Sequence, residues 1–126
     1  MTTMIAEILA LAAKLPAGLP DPDALKKLTR EMDELNSSIE ANDTDGALTE
    51  AADIGYYVAK LLDYVAGLLS LDADTVLRLA VAKYTLRARP GNPKDDAAER
   101  AACRAVVSVE VDGPPMPFEF SHIEWL

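Results

Sequence analysis

At 126 residues, half of them hydrophobic, the chain suits one folded domain and is too apolar for a disordered one. Twelve Lys and Arg against 21 Asp and Glu leave a formal net charge of −9, which excludes the basic footprint of a nucleic-acid binder. The single cysteine, Cys103, excludes an intrachain disulfide and suits a reducing, cytoplasmic setting.

The first predicted helix runs roughly over 3–15, with Ile5, Ile8, Leu9, Ala12 and Leu15 on one face. Its apolar start lacks a basic leader and contains Glu7, so it reads poorly as a signal peptide. Pro16, Gly18 and Pro20 end it. A second helix is expected with Asp21 as N-cap and Pro22 at the first helical position. Leu25, Leu28, Met32, Leu35 and Ile39 then recur at spacings of three and four, the pattern of a bundle seam.

The turn Asn42-Asp43-Thr44-Asp45-Gly46 leads into a third helix reaching about Leu69, with a stripe of Ile54, Val58, Leu61, Val65 and Leu68. Lys60 and Asp63 interrupt this apolar stretch, so no membrane span is expected. Asp72 caps a fourth helix, with Val76, Leu77, Ala80, Val81 and Tyr84 facing inward. After Pro90-Gly91-Asn92-Pro93, a fifth helix is compatible with residues 94–106. The valine-rich run 106–111 fits a strand or an extended arm as well as a helix. The tail 113–126 has no clear period. Cys103 lacks a neighbouring base and reads as a packing residue, and His122 as an ordinary tail residue.

Two acidic pairs flank the turn: Glu31 with Glu34, and Glu50 with Asp53. Spacing of three places each pair on one helical face. If the flanking helices fold back antiparallel, the pairs overlap in height, since each lies about seven to twelve residues from the turn at about 1.5 Å per residue. Converging carboxylates repel unless a cation sits among them, and an all-oxygen donor set suits a hard ion such as magnesium. Either pair alone also describes a solvated helix face. Symmetry about the turn, the position of Glu50 in line with an apolar stripe, and the small neighbours Ala51, Ala52 and Gly55 favour a metal site.

Residues 28–89 resemble the MazG-like, all-α nucleoside triphosphate pyrophosphohydrolases. The family motif is Glu-Glu-x-x-Glu, a gap, then Glu-x-x-Asp, followed by a helix bearing basic residues. Glu31 and Glu34 match its second and third glutamates, and Glu50 and Asp53 match the later pair. The run from Asp53 to Val58 follows as in the family, and Lys83 falls where such proteins carry a substrate-binding lysine. Arg30 stands in place of the first glutamate, which leaves four carboxylates rather than five, one short of the family's full set for several metal ions.

The resemblance implies an all-α helical bundle of four main helices with a possible fifth and an extended C-terminal arm. It is read as a single domain over 1–126, with its core at about 21–89 and an extension over 90–126. It implies a homodimer or homotetramer that converts an NTP or dNTP to the monophosphate and pyrophosphate. Glu31, Glu34, Glu50 and Asp53 would hold Mg2+, with Mn2+ as a substitute, and Glu31 or Glu34 would act as the catalytic base. Apart from the resemblance, Lys83 and Arg87 lie four apart on one helical face, within reach of a triphosphate, and Arg89, Asn92 and Lys94 follow in a Pro/Gly loop suited to gripping a phosphate or base. No nucleic-acid or membrane partner is expected. Two alternatives stay open: a phosphoribosyl-ATP pyrophosphatase-like enzyme, and a non-catalytic helical interaction module that has lost turnover, which Arg30 keeps in play.

Overall fold

The structure, a computed structural model, describes residues 3–91 and 94–111. Among these residues it is all-helical, with α1 over Met4–Ala12, α2 over Ala24–Glu40, α3 over Thr44–Leu68, α4 over Ala73–Arg87 and α5 over Asp96–Val111, and no strand. The valine-rich run 106–111 is helical, completing α5, so it is neither the strand nor the extended arm offered for it, and the tail 113–126 lies outside the described residues. The chain divides into two compact units, Met1–Asp74 and Thr75–Leu126, a division that falls inside the expected core of 21–89.

In the first unit, Thr3 caps α1 through its hydroxyl, which accepts from the Ala6 N–H at 3.1 Å. The helix stops at Ala12 rather than Leu15. The N–H groups of Lys14 and Leu15 turn back to the carbonyls of Leu11 and Ala12, tightening the last turn, and Leu15 is exposed.

α2 begins two residues later than predicted, because Asp21 is engaged elsewhere. Its carboxylate accepts from Lys27 at 2.8 Å and Lys60 at 2.7 Å, and from the Asp23 N–H at 3.0 Å. Two ammonium partners outweigh the neutral N–H that a helix cap offers. Asp23 takes the N-cap position without a side-chain bond, and Pro22 precedes the helix. Burial pushes the Asp21 carboxyl up, but Lys27, Lys60 and the Asp23 N–H outweigh it and hold its pKa at about 2.

α2 and α3 form an antiparallel hairpin, and α1 packs on α3. Asn42 turns the chain at φ 55°, a left-handed conformation that Asn tolerates better than most residues. Asp43 then caps α3 by accepting from the Gly46 N–H at 3.0 Å. A Cβ on Gly46 would overlap the Asp43 carboxylate. Gly46→Ala gains about 1 kcal/mol of helix propensity and disturbs a cap worth about the same, so the two offset. Asp43→Ala loses the cap with no return. It is expected to cost about 1 kcal/mol in a urea titration, while Gly46→Ala changes stability by less.

The predicted seam of α2 is only partly covered. Leu25, Leu28 and Leu35 are half-buried, whereas Met32 and Ile39 are exposed at 55% and 57%. The fully enclosed positions along the hairpin are Ala24, Ala59, Ala66 and, unexpectedly, Lys60.

In the second unit, α4 starts directly after Asp72 as predicted, but its inward face differs from the prediction. Val76, Leu79 and Leu86 are half-buried, whereas Leu77, Ala80, Val81 and Tyr84 are exposed. α5 returns antiparallel to α4. Arg87 donates to Glu99 at 3.0 and 3.3 Å near the connection, and the Cys103 thiol reaches the Leu79 carbonyl at 3.9 Å farther along. Asp95 caps α5 through the Ala98 N–H. No described helix is long and apolar enough to cross a membrane.

Candidate metal centre

The α2–α3 hairpin brings three of the four acidic residues together. One carboxylate oxygen from each of Glu31, Glu50 and Asp53 lies within 4.8 Å of the others. The antiparallel register explains which three meet. Glu31 stands opposite Glu50, much as Asp21 stands opposite Lys60. Moving three residues on from Glu31 goes about 4.5 Å toward the turn, while moving from Glu50 to Asp53 goes away from it. Glu34 therefore ends one turn nearer the loop, exposed, at the edge of the cluster.

Glu31 is buried, 7% exposed, and its Oε2 has no hydrogen-bond partner. The Oε2 of Glu50 is buried and unpartnered too. The neighbouring Glu34 carboxylate, then burial, then Glu50 and Asp53 raise the Glu31 pKa to about 7. The contact with Glu31 holds Glu50 down, but burial and the Glu34 and Asp53 charges outweigh it, so Glu50 is raised on balance. Arg30 gives little relief. It is largely exposed, and its guanidinium stands 3.8 Å from Glu31.

The chain matches no family model, no curated protein and no solved structure. The site is thus characterised by its own chemistry. Buried carboxylate oxygens without donors are costly. Nothing but oxygen is offered, and Glu31 and Glu50 are both raised in pKa. These properties fit a hard divalent cation, which would satisfy the orphaned acceptors and cancel the repulsion together.

The basic residues expected to bind substrate lie in the second unit. Arg87 forks onto buried Glu99, and the Lys83 ammonium stands 3.8 Å from the same carboxylate. The Arg87 bond is the foremost cause of a lowered Glu99 pKa and a raised Arg87 pKa. Lys94 pairs loosely with Asp96 at 3.8 Å on the surface, and Arg89 is exposed just past α4. Asn92 lies outside the described residues.

Sequence reasoning passed over Asp21 and Lys60 as a pair. Lys60 is 1% exposed, 2.7 Å from Asp21, and lies 5.3 and 5.7 Å from the ring centroids of Tyr56 and Tyr57. The signal was present: Lys60 lies seven residues after Asp53, on the same helical face and within the apolar stretch. The tyrosines pack edge to face on each other at 5.1 Å and flank this lysine.

Proposed function

We propose that the chain is a magnesium-dependent nucleoside triphosphate pyrophosphohydrolase, releasing the monophosphate and pyrophosphate from an NTP or dNTP. The observation that carries this reading is the convergence of Glu31, Glu50 and Asp53 around two buried, unpartnered carboxylate oxygens. The resemblance of residues 28–89 to the MazG-like enzymes supplies the reaction class.

Glu31, Glu50 and Asp53 hold the ion in this reading. Bound magnesium supplies neutralisation of phosphate charge and acidifies water, the two demands of phosphoanhydride hydrolysis. Glu34 stands outside the three-way cluster and beside Glu31. It is the carboxylate left to accept the proton from the attacking water. The resemblance assigns a substrate-binding role to Lys83; within the second unit Lys83 and Arg87 both face Glu99, which fixes the Arg87 guanidinium.

The same reading expects a homodimer or homotetramer, with Met32 and Ile39 covered by a second copy. Sedimentation at micromolar concentration then shows a dimer or larger, and Ile39→Lys returns it toward monomer. A monomeric wild type removes this part.

Arg30 favours a second reading, binding without turnover, since it places a cation beside Glu31. The deciding experiment is pyrophosphate release from a panel of ribo- and deoxyribonucleoside triphosphates with magnesium, beside phosphoribosyl-ATP and the Glu50→Gln variant. Metal binding with no release from any substrate selects the second reading.

A further inference from the structure

α4 is apolar on two opposite faces. One carries half-buried Val76, Leu79 and Leu86. The other carries Leu77, Val81 and Tyr84, spaced four and three apart and 41%, 67% and 54% exposed. An exposed apolar stripe with a polar rim marks a binding face. The rim here is basic at Tyr84: the Arg87 guanidinium lies 4.9 Å and the Lys83 ammonium 5.7 Å from its ring centroid.

We propose that this face is the docking site for the chain's own segment 112–126, which lies outside the described residues. Charge selects the pairing. Residues 75–111 hold seven Lys and Arg against four Asp and Glu, while 112–126 holds Asp112, Glu119 and Glu124 and no Lys or Arg. The other exposed apolar side chains, such as Met32, Ile39 and Leu48, lie within residues 1–74, where five Lys and Arg face fourteen Asp and Glu. An acidic segment is repelled there and attracted to α4.

Topology brings the segment to the right place. α5 runs back along α4, with Cys103 level with Leu79. The eight residues from Cys103 to Val111 advance about 12 Å, and the six from Leu79 back to Ala73 cover about 9 Å, so α5 ends level with the first turn of α4. Leu77 is the nearest member of the stripe to that point. From Leu77 to Tyr84 is about 10 Å along the helix, whereas fifteen extended residues reach about 50 Å. Met116, Phe118 and Phe120 alternate along the segment, and in an extended chain such residues share a side at about 7 Å intervals. That spacing approaches the roughly 6 Å from Leu77 to Val81.

Trp125, the only tryptophan, reports on the segment directly. In the full-length protein its emission is expected to be blue-shifted and protected from acrylamide. Val81→Glu, which removes an apolar contact and adds repulsion, is expected to shift the emission to that of free tryptophan. Quenching should rise at least twofold while the helical circular dichroism stays unchanged. Solvent-like emission in the wild type overturns the proposal, and so does an emission indifferent to Val81→Glu. A blue shift that vanishes on dilution from 100 to 1 µM assigns the segment to a second copy and overturns it as well.

Discussion

Glu50→Gln is expected to abolish metal-dependent pyrophosphate release, by at least about 100-fold, while leaving the metal-free protein as stable as the wild type or more so. The two outcomes have one cause. Without a cation, Glu50 contributes a like charge and a buried, unpartnered oxygen to the cluster with Glu31 and Asp53. An amide of the same shape removes the charge and part of the repulsion. With a cation, that charge is what binds. A Glu50→Gln variant that loses stability and keeps its response to magnesium would sink the metal-site reading.

The pH dependence gives an independent check that needs no substrate. The Glu31 pKa, raised to about 7, lies above the ordinary 4.5. A raised acid contributes stability that is fully present below 4.5 and is lost as pH rises through about 7. The metal-free protein should therefore weaken from about pH 4.5 to 7 and level off above that. Binding a cation displaces this proton, so Mn2+ affinity, followed by electron paramagnetic resonance, should fall up to about tenfold from pH 7 to 6. Flat behaviour on both measurements would mean that Glu31 keeps an ordinary carboxyl and that the oxygens do not converge.

The hairpin and its register were legible because they rest on local chemistry. Asn42, Asp43 and Gly46 specify a tight turn and a cap, and the 3.6-residue period then fixes which heights face each other. That logic placed Glu31 against Glu50 and Asp53. Glu34 meets Glu31 and Glu50 but lies outside their convergence with Asp53, since two pairs spaced alike on antiparallel helices step in opposite directions. Asp21 was misread for a different reason. A cap is a local event, whereas its ammonium partner Lys60 lies 39 residues on; the helical face Lys60 shares with Asp53 marks it as an inward charge but does not name its partner. On α4 the pattern was ambiguous in itself. Val76, Leu79 and Leu86 make as good an inner face as Leu77, Val81 and Tyr84, and the tie breaks where Arg87 and Lys83 reach Glu99 on α5.

The largest expected loss of stability is at Asp21. Asp21→Ala leaves the Lys60 ammonium buried without a carboxylate, and stranding one member of a buried ion pair costs about 3–5 kcal/mol. The Tyr56 and Tyr57 rings beside Lys60 offset part of this, so the lower end of that range is expected in urea titrations. Lys60→Met is expected to be milder. It removes the buried cation, and Asp21 keeps Lys27 at 2.8 Å and the Asp23 N–H. The double variant Asp21→Ala, Lys60→Met should then recover much of what Asp21→Ala loses, giving a coupling of about 1–3 kcal/mol. Acid should reach the same interaction. The Asp21 pKa is lowered from 3.8 to about 2, so its contribution, about 2 kcal/mol, is present above pH 4 and is lost as pH falls through 2. Asp21→Ala should flatten the stability profile over that window. Equal losses in the two single variants, with no coupling, would show that Lys60 is held by its aliphatic stem and the two rings rather than by its charge.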